Sequence, residues 1–377
     1  MLGTFPPTAC GVATFSAALA DGLVADGGSV GVVRVGGAAP CGDPRVIQQL
    51  EGGSQASIRS SARALSSFDV AIVQHEYGIY GGADGDEVVG LIEALDVPSI
   101  VVAHTVLLSP TPHQREVLEA VATAASLIVV MTESGRDRLC TGYEVDAEKI
   151  VVIPHGAATA TPGERSGRLT RPRLLTWGLL GPGKGIEWAL DALAMLKDLR
   201  PRPHYVIAGD THPKVKAADG DAYRDMLMRR SWERGVSPMV SFDSGYRDLT
   251  ALSKLIDTAT VVVLPYDSRD QVTSGVLVDA VAAGCPVIAT AFPHAVELLD
   301  SGAGIVVPQR DPESLAAALR RVLTEDGLAS SMAEEATRLA PSLRWPAVAA
   351  QYRVFADRLT GAFDGVREGV LDAGVSA

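Results

Sequence analysis

Short apolar runs rich in Val and Ile recur along the chain at 30–35, 70–74, 99–103, 127–131 and 150–153, separated by amphipathic stretches of helical length. The pattern stops, then restarts at 173–177, 204–208, 240–243, 260–264, 287–290 and 304–307. A strand that is apolar on both sides must be covered on both sides, which requires a parallel sheet with helices on each face. The doubled alternation therefore predicts two α/β domains, and 377 residues suit two domains of about 100–200 residues each. The interruption at 154–172, PHGAATATPGERSGRLTRP, has almost no large apolar residue and reads as a linker. The expected division is 1–153, linker 154–172, 173–344, and a last helix within 345–377 that starts after Pro341. That helix carries an apolar face of Val348, Tyr352, Phe355 and Leu359, suited to either half, including a return to the N-terminal one. Met1 and Leu2 leave little for a first strand, so either the strand is a stub or the natural chain begins upstream.

Charge and cysteine usage narrow the function. With 33 Lys and Arg against 45 Asp and Glu, the net charge of -12 disfavours nucleic acid, whose binding needs a clustered basic surface. A small anion remains open, because a few local cations and helix N-termini suffice to hold one. Cys10, Cys41, Cys140 and Cys285 form no paired motif, and no metal-ligand cluster stands out; reduced thiols in the cytoplasm are expected, with no metal. The apolar stretch 121–131 is shorter than the ~18 residues that span a bilayer, so a soluble chain is expected, with contact to a membrane surface left open.

In open α/β sheets ligands sit beyond the carboxyl ends of the strands, and the unusual residues lie there. After the run 173–177 comes Gly178-Leu-Leu-Gly-Pro-Gly-Lys184-Gly185, which opens a helix. Its glycines permit close backbone approach, the helix start supplies N–H groups, and Lys184 supplies a charge, which together make a phosphate cradle or simply a tight turn. After the run 260–264 comes Arg269-Asp-Gln271-Val-Thr273-Ser274-Gly275, leading into a helix that holds Asp279. The hydroxyls there cap the helix or bind a diphosphate, and vicinal ribose hydroxyls would partner Asp279.

These segments resemble the retaining glycosyltransferases of family 4, whose GT-B fold has two Rossmann-like domains with parallel sheets facing a central cleft. The family carries two glutamates with seven residues between them, followed by Ala-x-Ala-x-Gly-x-Pro-Val. Gln271 and Asp279 stand at the two acid positions, and Ala280, Ala282, Gly284, Pro286 and Val287 match the tail of the motif. The resemblance implies that Gln271 holds donor-sugar hydroxyls, Asp279 the ribose, and Lys184 with Gly185 the donor diphosphate. The family's arginine in that turn is replaced by Leu179, and Arg269 or Arg247 is the expected substitute cation. Backbone around Gly245, Tyr246 and Arg247 is the expected base contact.

In the first half, the turn from Pro6 to Gly11 matches the family's glycine-rich first loop, and His104 stands where the family sets a histidine beside the donor sugar. His75, Glu76, Tyr77 and Tyr80, a mixture of imidazole, carboxylate and aromatic faces, are assigned to the acceptor. His155-Gly156 occupies the family's Pro-Asn-Gly position, and His212 either touches phosphate or braces a loop. The implied activity is transfer of a hexosyl group from a nucleotide diphosphate sugar to a carbohydrate or lipid-linked acceptor, without a cofactor, with His104, Lys184 and Gln271 at the chemistry. A glycoside phosphorylase on the same scaffold and a non-catalytic sugar or nucleotide binder are the alternatives.

Overall fold

The apolar runs form two all-parallel sheets. The computed structural model describes residues 1–8, 10–36, 41–157, 171–245, 249–268 and 271–361. The first sheet comprises β1 (Leu2–Gly3), β2 (Val32–Val35), β3 (Val46–Leu50), β4 (Ala71–His75), β5 (Ser99–Ala103), β6 (Leu127–Val130) and β7 (Ile150–Val152), in the order β3-β2-β1-β4-β5-β6-β7. The second comprises β8 (Arg173–Trp177), β9 (His204–Ala208), β10 (Val240–Asp243), β11 (Val261–Leu264), β12 (Val287–Thr290) and β13 (Gly304–Val307), in the order β10-β9-β8-β11-β12-β13. Each sheet is wound outward from its first strand in both directions, so each has a switch point, between β1 and β4 and between β8 and β11.

Burial explains which strands the pattern revealed. Val262 and Leu264 of β11 point into one apolar cluster while Val261 and Val263 point into another on the opposite face. The edge strand β3, Val-Ile-Gln-Gln-Leu, alternates between exposed and partly buried residues and has no apolar run to betray it. β1 is a stub of two residues, yet Leu2 is fully buried in the centre of the sheet, in register with Val33 and Val73.

The chain divides into two units: Met1–Gly156 with Trp345 onward, and Ala157–Arg344. The helix Trp345–Leu359 belongs to the first unit, where it lies along the helix Gly11–Ala25. Pro341 sits inside the preceding helix Leu328–Leu343, and the break falls at Arg344, whose backbone is extended. Of the stretch expected to be a linker, residues 158–170 lie outside the described residues, and Ala157 bridges to Arg344. Among the described residues no helix is long and apolar enough to cross a membrane.

The helices Gly11–Ala25 and Trp345–Leu359 touch through Gly22. A methyl group there would stand 2.7 Å from the Ala349 Cβ and 3.3 Å from the Trp345 carbonyl oxygen. Gly22→Val should therefore destabilise this unit by roughly 1–3 kcal/mol, the usual cost of overpacking, read as a lower denaturation midpoint in urea.

Candidate functional site

In the second unit the loops after β8 and β11, neighbours at the switch point, are locked together. The Asp267 amide donates to the Gly183 carbonyl at 3.1 Å. Gly185, with φ of 60°, starts the helix Ile186–Ala194, and a Cβ on it would lie 1.9 Å from the Pro265 carbonyl oxygen. A Cβ on Gly178 would be 3.6 Å from Val276, in the first turn of the helix Gly275–Ala282. The glycine turn thus lies against both the β11 loop and the start of that helix.

Lys184 is half-buried, and its ammonium sits 4.1 Å from the centre of the Tyr266 ring. Among the described residues no carboxylate lies within ion-pair distance of it. Tyr266 is 1% exposed and stacks on Phe292 at 5.1 Å. Its loop is braced by the Gln309 amide, which donates to the Tyr266 and Ser268 carbonyls at 3.2 Å, and by Asp267, which pairs with Arg310 at 3.0 Å. A cation held over an aromatic face and left without a counter-ion is placed to receive an anion.

The start of the helix Gly275–Ala282, which the Gly178 end of the same turn approaches, is partly satisfied. The Ser274 hydroxyl caps the helix by accepting from the Leu277 amide at 3.3 Å, and the Ser274 amide donates to His294 Nδ1 at 2.9 Å. Among the described residues the Gly275 and Val276 amides have no acceptor, which leaves two donors and the positive end of the helix. Gln271 is half-buried, with its side-chain amide donating to the Thr273 carbonyl, and Asp279 is half-buried one turn into the helix. His212 braces the glycine turn: its amide donates to the Leu180 carbonyl at 2.8 Å, and its Nδ1 accepts from Lys214 at 3.2 Å. Burial lowers its basicity, as do Lys214 and Lys184 nearby.

In the first unit the loops after β4 and β5 are joined in the same way. The His104 amide donates to the His75 carbonyl at 3.0 Å, and the Thr105 hydroxyl donates to Glu76 at 2.5 Å. His104 Nε2 donates to Gln74 Oε1 at 2.7 Å, so in the neutral ring Nδ1 carries the lone pair. Gln74 is fully buried over Gly3, where a Cβ would meet its side chain at 2.7 Å. Phe15 forms a hub, edge-on to His104 at 4.8 Å, His155 at 5.1 Å and Trp345 at 4.9 Å. Burial drives His75 to a pKa of about 4 and His155 to about 4. His104 falls to about 3 by burial and by the neighbouring imidazoles of His155 and His75.

The chain and its fold have counterparts among known proteins. The chain matches the family described as Glycosyltransferase Family 4 over residues 9–161 and that described as Glycosyl transferases group 1 over residues 164–339. The two matches together cover most of the chain, and its fold is that of the GT-B glycosyltransferases. A D-inositol 3-phosphate glycosyltransferase of Corynebacterium kroppenstedtii is 28% identical over 278 residues, covering 66% of this chain and 59% of that protein. The one of Jonesia denitrificans is 30% identical over 261 residues, covering 63% and 58%. The match to these curated relatives thus spans about three fifths of their length. The Anabaena HepE protein solved with UDP and glucose has the same fold, with a TM-score of 0.74 at 16% identity over 95% of this chain and 98% of that one.

Of the expected donor residues, Gly178 lies against Val276 and Gly185 against Pro265, so the glycine turn with Lys184 adjoins the segment that holds Gln271, Thr273, Ser274, Gly275 and Asp279. Tyr246, Arg247 and Arg269 lie outside the described residues. Gly11 starts its helix on open surface, behind a Cys10 cap. The set assigned to the acceptor is largely interior. His75 is 1% exposed, and Tyr77 and Tyr80 belong to the apolar core, with the Tyr80 hydroxyl donating to the Gln74 carbonyl at 2.6 Å. Only Glu76 keeps appreciable surface, because the chain after β4 turns inward and its rings fill space beside the helix Glu87–Glu93. Tyr266, His294 and Gln309 are not marked by any motif in the sequence. The signal available for Tyr266 was an aromatic residue directly after a buried strand.

The depressed imidazoles have a consequence for stability. Each titrates near 6.5 when unfolded and near 3–4 when folded, so between these values the unfolded chain binds more protons. Stability is full above about pH 6.5 and is lost as pH falls toward 4, at up to about 1.4 kcal/mol per pH unit for each histidine. Denaturation midpoints measured from pH 7 to 4.5 should fall, and His155→Phe, which keeps the ring packing on Phe15, should reduce that slope.

Proposed function

We propose that this chain is a retaining glycosyltransferase that moves a hexosyl group from a nucleoside diphosphate sugar to a carbohydrate or lipid-linked acceptor. The observation that carries the reading is the half-buried Lys184 ammonium over the Tyr266 ring, without a counter-ion among the described residues, in the same unit as a helix that starts with the unbonded amides of Gly275 and Val276. Such a group of one fixed cation and oriented N–H donors matches a diphosphate in charge and geometry. Two relatives named as glycosyltransferases and a fold-mate solved with UDP and glucose support the same class of donor.

The chemistry needs little covalent help from protein. The bond between the sugar C1 and the diphosphate oxygen breaks as the acceptor oxygen bonds to C1 on the same face. The acceptor hydroxyl proton passes to the departing phosphate oxygen, which keeps the balance. Lys184 and the helix start neutralise charge growing on the leaving group, which is the usual main contribution in group transfer of this kind. Gln271 stiffens the loop through Thr273 and offers its remaining carbonyl oxygen to a sugar hydroxyl, while Asp279 is the candidate for the ribose. His104, neutral and hydrogen-bonded through Nε2 to Gln74, presents Nδ1 as an acceptor for a sugar hydroxyl. Glu76 is the remaining surface carboxylate for the acceptor.

Titrating the protein with UDP, GDP and ADP should reveal one preferred nucleotide. Lys184→Ala should weaken it about 10- to 100-fold, corresponding to ~1.5–3 kcal/mol for a charge-assisted hydrogen bond. Unchanged affinity in that variant would remove the basis of the donor assignment. Turnover is read as nucleoside diphosphate released from a panel of sugar nucleotides; tight binding with no release across acceptors selects the non-catalytic alternative. Phosphate-dependent release of a sugar 1-phosphate selects the phosphorylase.

A further inference from the structure

The glycine turn after β8 is held on a second side by the loop after β9. Leu180 bridges in parallel to Thr211: its amide donates to the Asp210 carbonyl at 2.8 Å, and its carbonyl accepts from the His212 amide at 2.8 Å. A Cβ on Gly181 would stand 3.9 Å from the His212 Cβ and 3.1 Å from Val215. The Lys184 amide donates to the Gly181 carbonyl at 3.2 Å, so Lys184 and His212 flank one short turn.

The His212 side chain is half-buried, and its two ring nitrogens have different surroundings. Nδ1 accepts from the Lys214 amide at 3.2 Å. An accepting nitrogen carries the lone pair, so the proton of the neutral ring is on Nε2, which is thereby set as a donor. Among the described residues Nε2 has no acceptor. Protonating the ring would put a hydrogen on Nδ1 against the Lys214 N–H and break that bond. Burial and the charges of Lys214 and Lys184 act in the same direction, holding the basicity of His212 below the ordinary histidine value.

The carboxylates that adjoin this loop in sequence are engaged elsewhere. Asp210 accepts from the Gly245 amide at 3.1 Å, and Asp221 accepts from the Thr211 hydroxyl at 2.8 Å and lies 3.7 Å from the Lys216 ammonium. At neutral pH His212 is therefore an uncharged ring with one N–H in a fixed tautomer and no carboxylate bonded to it.

We propose that His212 is a second contact for the donor diphosphate, its Nε2–H donating to a phosphate oxygen while Lys184 brings its charge from the Tyr266 side of the same turn. The contact presupposes the donor site assigned above. It adds a directed donor where Lys184 adds a charge, and the Lys214 amide is what keeps that donor in place.

Two substitutions separate the two nitrogens. In His212→Asn the side-chain oxygen stands in for Nδ1 and keeps the Lys214 bond, while nothing replaces Nε2. In His212→Gln the amide nitrogen stands in for Nε2, and the Lys214 bond is lost. Isothermal titration of the full chain with UDP-glucose, GDP-glucose and ADP-glucose should find the preferred nucleotide sugar bound about 10-fold more weakly by His212→Asn, at an unchanged melting temperature. His212→Gln should keep most of the affinity and melt at a lower temperature. Nitrogen NMR of the wild-type imidazole should show the Nε2–H tautomer, with the Nε2 resonance moving when the nucleotide sugar is added. Wild-type affinity in His212→Asn, alongside weakened binding in Lys184→Ala, would overturn this contact and leave the donor assignment standing. An Nδ1–H tautomer, or an Nε2 resonance unmoved by a nucleotide sugar that binds, would do the same. Wild-type affinity in both variants, or no binding of any of the three nucleotide sugars, would overturn both.

Discussion

The second unit is organised around a contact between two stretches of backbone, in which the turn after β8 comes so close to the loop after β11 that no side chain fits between them. At Gly185 the space left for a Cβ is 1.9 Å from the Pro265 carbonyl oxygen, and on the other side of the turn, at Gly209 after β9, it is 1.9 Å from the Gly178 carbonyl oxygen. Both residues have positive φ, 60° and 137°, so conformation and space exclude a side chain together. The contact depends on β8 and β11 being neighbours, which in turn depends on the winding direction reversing there. Close approach brings the Lys184 ammonium over Tyr266 and sets Gly178 against Val276 in the first turn of the helix Gly275–Ala282.

Support for that arrangement comes from residues remote in sequence. Gln309 and Arg310, beyond β13, hold the carbonyls and carboxylate of the β11 loop. His294, on the helix Pro293–Leu299, receives the Ser274 amide. Each uses a polar group that would otherwise leave the loop free to move, and together they brace the loop beside the Gly275 and Val276 amides, which receive no partner among the described residues. The first unit reaches a similar result by packing. Phe15 fills the space among His104, His155 and Trp345, and burial, with the neighbouring imidazoles at His104, holds these rings neutral.

How much of this was legible in the sequence depends on the same division of labour. Strands buried on both faces declare themselves as apolar runs, and five of the six strands after residue 172 match their runs end to end while β11 starts one residue late. The edge strand β3, Val-Ile-Gln-Gln-Leu, alternates in exposure without an apolar run and was invisible. Lys184 and the Ser274-Gly275 pair were legible because turn, charge and cap are local patterns. Tyr266, His294 and Gln309 were not, because their roles exist only once loops 20 to 43 residues apart have met. Tyr77 and Tyr80 misled for a related reason: a tyrosine beside glycines has the same sequence signature whether its ring faces solvent or core, and only the inward turn after β4 decides.

The chain leaves the first unit at Gly156 and comes back to it at Trp345, whose ring occupies the room that a Cβ on Gly156 would need, 2.3 Å away. The second unit is therefore an unbroken segment, whereas the first is made in two instalments. On a ribosome the residues for the second unit are all present while the earlier one still has a bare helix surface at Gly22 and an open flank at Phe15. The part begun first is the part finished last, and roughly 190 residues of synthesis separate its two halves.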